Sequence, residues 1–208
     1  MATMHATTMV GGHARPAWAG PVIIQDNQPG MMPISAANPR AVHGIIVPVS
    51  TKGRPSAPSP LSGFGTGKAM GTDKGHMMAL ELGGPDISEN ISPQSSRWQQ
   101  SGGWRAIETN ALHVAMQWMG IWSTYDPASG IPAPSVAGYF RVGPSDETDP
   151  TNGEPAYYIG SITRVVIVGP PRIYTVPAER YRQTIVFQIE PGQVWWDGRK
   201  VLEDTVMY

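Results

Sequence analysis

The chain has 208 residues, enough for one sizeable domain with its own core. Its 15 Lys and Arg against 16 Asp and Glu exclude a broadly basic surface, although a local patch is enough to grip a short run of phosphates. The absence of cysteine removes disulfides, thiolate metal sites and cysteine nucleophiles, and no apolar run reaches the roughly 20 residues of a membrane span. The 24 Gly and 21 Pro predict long irregular connections rather than a helix bundle. With no basic start followed by an apolar block, the N-terminus does not read as a conventional secretion signal, and a soluble protein is expected.

Residues 1–40 lack a helical or strand period and read as an extended arm or linker, with one apolar patch at 22–24 that docks on the domain. His5 and His13 sit in this stretch, where solvation is the ordinary fate of an isolated histidine. The domain proper is expected over 41–208. AVHGIIVPV at 41–49 is the first β-branched run and predicts a strand, with His43 packed or at its edge and Pro48 marking its end. GFGTGK at 63–68 imitates a phosphate loop. The spacing fails, because the position that needs the first Gly holds Ser62 and Lys68 is followed by Ala69.

A strand is expected at 75–81, broken by LGGP at 82–85 and followed by a loop to Asn90. Ser101-Gly-Gly-Trp104 then opens a helix. Trp104, Ile107, Ala111, Val114 and Trp118 recur at helical spacing as one buried stripe, and Gly120 ends it. Glu108 falls at the border of that stripe. Strands are expected at 138–142, 156–159, 161–168 and 183–189, with an acidic solvated loop at 145–154. Trp195 and Trp196, flanked by Val194 and Val201, read as core. The fold class that follows is α+β, with a mostly antiparallel sheet in the C-terminal half.

The residues between 68 and 108 carry the chemistry. Hydrolysis of a phosphodiester needs a base for the attacking water, a cation on the phosphate and help for the departing oxygen. A neutral imidazole serves as the base near neutral pH. A hard Mg²⁺ serves the other two needs and takes oxygen ligands. Taken singly, His76 reads as a core histidine, Asn90 as a turn residue and Glu108 as a solvated helix residue. Their order along the chain says more. Asp73-Lys-Gly-His76, Asn90-Ile-Ser-Pro-Gln94 and Trp104-Arg-Ala-Ile-Glu108 together resemble the sugar-nonspecific DNA/RNA endonucleases of the ββα-metal (His–Me finger) superfamily, above all their bacterial toxin branch. The resemblance covers about a third of the chain.

That resemblance implies a ββα-metal core over about 68–120. It makes His76 the general base, Asn90 the direct ligand of Mg²⁺ (Mn²⁺ as the substitute), and Glu108 the holder of metal-bound waters. Asp73 would orient the strand end. Lys74 and Arg97 would face the charge that builds on the phosphate, and Lys68, Gln94, Gln99 and Arg105 would line the substrate. Two departures stand out. Lys74 replaces the family's Arg and loses the bidentate fork, and the family's helix Asn has only Gln99 or Gln100 as counterparts. The branch implies DNA or RNA as substrate, a cognate and acidic immunity protein, and export by a dedicated secretion system into a target-cell cytoplasm. Asn90-Ile-Ser is a glycosylation sequon, so bacterial origin suits a working site better. The competing reading is a non-catalytic assembly module, favoured by the near-neutral charge.

Overall fold

The structure, a computed structural model, describes residues 4–10, 13–25, 41–51, 72–95, 102–145, 155–168, 173–175, 184–190, 193–197 and 199–201. Its centre is a pair of long antiparallel strands, β8 (Val136–Pro144) and β9 (Tyr158–Val168), paired so that Phe140 lies opposite Ile162. Both runs are rich in β-branched and aromatic residues, which suit a pleated, half-buried surface. The runs at 156–159 and 161–168 thus form one strand that starts at Tyr158.

On one side the sheet continues through β5 (Ala41–Ile45), β4 (Val22–Gln25) and β1 (Met4–Thr7). On the other it continues through β11 (Thr184–Glu190), β12 (Gln193–Trp196) and β13 (Arg199–Val201), with β10 (Ile173–Thr175) also pairing β9. All of these pairings are antiparallel. The fold is α+β, mostly antiparallel sheet with one α-helix among the described residues. None of the described helices is long and apolar enough to cross a membrane.

Alternation along each strand sends neighbouring side chains to opposite faces, and both faces are used. Helix α1 (Gly103–Met119) lies on one face. Its Trp104, Ile107, Ala111 and Ala115 pack with Val42, Phe140, Ile162, Phe187 and Trp196. Gly120 closes the helix at φ 71°, with its N–H on Gln117 O and the N–H of Ile121 on Met116 O, the double bond of a Schellman end. The opposite face carries Ile45, Val47, Ala137 and Val165, and it is covered by Val10, Trp18 and Ala19. The helix stripe and the buried Trp196 agree with their sequence patterns; Trp195 is half-buried.

The N-terminal segment differs from the expected arm. Its described residues add two strands to the main sheet, form the small β2 (Met9–Val10)–β3 (His13–Ala14) pair, and seal the reverse face with Trp18. Short strands of two to four residues leave too brief a period to be read from sequence. A second difference lies before the helix. The strand expected at 75–81 instead is β6 (Thr72–His76), and residues 77–82 turn away with Leu80–Leu82 in a 3₁₀ turn. β6 pairs antiparallel with β7 (Ile91–Ser95), a strand that Pro93 disguises in the sequence. A two-stranded ribbon followed by α1 therefore occupies 72–119. The GFGTGK loop and nearly all of the acidic 145–154 stretch lie outside the described residues.

Candidate active site

In the ribbon, His76 pairs with Ile91, Gly75 with Ser92 and Asp73 with Gln94. The Gln94 side chain is fully buried and lies across Gly75. A Cβ on Gly75 would come within 1.9 Å of Gln94 Oε1, so a larger residue in the Asp-Lys-Gly-His string would have to displace the buried end of the Gln94 side chain. Gln94 Nε2 makes long contacts to His76 O (3.5 Å) and Ser92 Oγ (3.4 Å). Ser92 Oγ shares a 2.8 Å hydrogen bond with Tyr158 OH, and Trp104 meets the Tyr158 ring edge-on at 4.8 Å. The ribbon is thus tied by polar contacts to β9 and, through Tyr158, to α1.

The connection from His76 to Ile91 is built on Asn90. Its Oδ1 accepts from Met78 N–H at 3.0 Å, and its Nδ2 donates to Met78 O at 2.9 Å and Pro85 O at 2.8 Å. The residue is wholly buried, and its own carbonyl accepts from Met77 N–H. Gly84 is crowded against this brace, since a Cβ there would fall 1.9 Å from Met78 O; Gly83 takes a left-handed φ of 81°. Next to Pro85 stands Asp86, whose Oδ1 is 3.0 Å from His76 Nε2. The His76 side chain is 16% exposed and that of Asp86 28%, so the pair is sheltered yet reachable.

A buried cation reaches the same connection from far away in sequence. Arg15, 6% exposed, donates from Nη1 to Gly83 O, from Nη2 to Ile45 O and from Nε to Gly20 O at 2.9 Å. Burial alone pushes its pKa down to about 10.

On α1, burial raises the Glu108 carboxyl to about 7. Arg105 opposes that rise and the negative charge of Glu81 adds to it. Arg105 grips Glu81 with two bonds, 2.8 and 3.3 Å, and reaches Glu108 at 3.4 Å. The Trp104 indole N–H faces Glu108 without closing a hydrogen bond of normal geometry.

The structure therefore gathers His76, Asn90 and Gln94 in one ribbon and its connection, with Glu108 on the helix that follows. Asp73 and Lys74 have backbone places in β6, opposite Gln94 and Pro93; their side chains, with Lys68, Arg97, Gln99 and Gln100, lie outside what is described. Arg105 points to Glu81 and Glu108. Asp86, Glu81 and Arg15 carry no sequence signal, because each meets its partner only after the chain has turned back on itself. Among the described residues no group of three or more His, Asp or Glu is close enough to hold an ion.

No protein-family model, curated protein or solved structure matches this chain.

Mg²⁺ keeps several of its waters and needs one or two protein oxygens. Glu108 suits that need, since its ionised form is disfavoured where it stands and a cation beside it would offset the cost. The Asn90 amide, as placed, is spent on backbone.

Proposed function

We propose that this chain is a metal-dependent endonuclease that hydrolyses phosphodiester bonds of DNA or RNA, on a ββα-metal core made of the β6–β7 ribbon and α1. The observation that carries the reading is the His76–Asp86 pair at the exit of β6, sheltered but open to solvent. His76 takes the proton of the attacking water, and Asp86 beside Nε2 favours the tautomer that carries its proton there. Asp86 holds the ring in that tautomer and stabilises the imidazolium that forms, a carboxylate role familiar from other histidine bases.

Glu108 would hold Mg²⁺, or Mn²⁺ in its place, through the ion's waters, with Asn90 as the direct ligand if its amide turned from the backbone. When bound, the ion neutralises charge on the phosphate and on the leaving 3′-oxygen. Asn90 in its observed place positions the connection that carries Asp86. The resemblance assigns Lys74 and Arg97 to the phosphate, Asp73 to orienting the strand end, and Lys68, Gln94, Gln99 and Arg105 to the substrate. The same proposal makes the chain the toxic domain of a bacterial effector, exported by a dedicated system and neutralised by an acidic immunity protein.

The test is degradation of plasmid and RNA by the purified chain with Mg²⁺, with EDTA, and with His76→Ala. Cutting should require metal and fall by about 10²–10⁴-fold in the variant. The assembly-module reading has one observation of its own. Trp122 is 93% exposed, and Ile159 and Val186 are about half exposed on the sheet, apolar surface that a partner would cover. Substrates left intact across Mg²⁺, Mn²⁺ and Ca²⁺ would select it.

A further inference from the structure

We infer that Arg15 is a positioning residue of the candidate site, and that the N-terminal segment is thereby part of the catalytic architecture. The inference rests on the nuclease reading for its catalytic half, and on hydrogen bonds alone for its structural half.

The chain of contacts is short. Arg15 sits between β3 and the Trp18 turn, held by its own N–H on Thr8 O. One guanidinium spans three backbone carbonyls from three separate segments: Gly20 beside β4, Ile45 at the end of β5, and Gly83 in the turn after His76. No carboxylate accepts from it among the described residues, so the charge is spent wholly on fixing backbone. Gly83 is where that matters most. It takes φ 81°, and the N–H groups of Leu82, Gly83 and Gly84 close the turn on Ala79 O and Leu80 O, which leaves the Gly83 carbonyl to Arg15. Two residues on, Pro85 O accepts from Asn90, and the next residue is Asp86, the partner of His76. Letting go of Gly83 O loosens the turn whose far end aims the carboxylate at the imidazole. A guanidinium presents its donors in a rigid planar fork; a lysine ammonium in its place can reach one or two of the three carbonyls.

The decisive experiment combines amide hydrogen exchange with cleavage kinetics on the full-length Arg15→Met and Arg15→Lys variants. In Arg15→Met, exchange at the Met77, Met78, Gly83 and Gly84 amides should rise at least tenfold while the helix amides at 111–115 hold. On nucleic acid, kcat should fall about tenfold at unchanged KM, and Arg15→Lys should recover part of both effects. A rise that is equal in the turn and in the helix would make Arg15 an ordinary stability residue and overturn the inference. So would a local rise with kcat unchanged. If the wild-type chain cuts nothing, the nuclease reading falls by itself, and a local exchange pattern still establishes the clamp on the turn.

Discussion

The main sheet and the His76–Ile91 connection are held together by different physics. The sheet is bonded strand to strand and buries apolar side chains on both faces, so each contact is one among many and a lost methylene is shared by its neighbours. The connection gives Met77, Met78, Ala79 and Leu82 to that same core, and Ile87 packs against it, but polar contacts also fix its path. It depends on named polar pairs: Asn90 on Met78 and Pro85, Arg15 on Gly83, Asp86 on His76. Where such a group is buried, as at Asn90 and Arg15, losing it leaves the backbone atoms it held away from water. Sheet stability is spread over many contacts, and the path of the connection leans on fewer.

The contrast is sharpest at Asn90. Replacing it with Ala leaves Met78 N–H, Met78 O and Pro85 O without their partner, and is expected to cost about 4 kcal/mol by denaturant unfolding. A cost below 1 kcal/mol would show that the connection repacks as easily as the sheet. Glu108 comes next. A carboxyl raised from 4.5 to about 7 binds its proton more tightly in the folded chain, so its contribution is intact below pH 4.5. It is lost as pH rises through 7, for a total of about 3 kcal/mol. Glu108→Gln should flatten that decline between pH 4.5 and 7, and Mg²⁺ should weaken it in the wild type if the ion binds there. An unchanged pH profile in the variant would remove the buried-carboxylate account.

Gly75→Ala is expected to cost about 2 kcal/mol through the clash with Gln94, and less than half of that in a Gln94→Ala background. Equal costs in both backgrounds would break the link between the two motifs. The smallest effect belongs to the sheet. Ile162→Val, at the centre of β9, should cost about 1 kcal/mol and leave any cleavage untouched.

Much of the scaffold was legible in advance. The stripe from Trp104 to Trp118 and the stop at Gly120 are local signals, and they describe α1 closely. Long β-branched runs marked β8, β9 and β11 for the same reason: their period shows within a few residues. The N-terminal strands escaped because two to four residues cannot show a period, and β7 escaped because Pro93 argues against a strand. In the site, the sequence singled out His76, Asn90, Gln94 and Glu108 by motif order. It could not say that Asn90 would spend its amide on backbone, nor that Asp86 would turn back to meet His76.

Composition and periodicity alone determined an α+β chain without thiol chemistry and one amphipathic helix, and the resemblance supplied the short list of residues worth testing. Those properties are local, set by neighbours within a turn or a strand. Tertiary structure decided the rest: that the N-terminal segment closes the reverse face of the sheet, that the Gln94 side chain lies over Gly75, and that Arg15 clamps a turn 68 residues away. These depend on which backbone groups meet once the chain is folded. No pattern along the sequence records that meeting, because the carbonyls that Arg15 binds are the same in every residue.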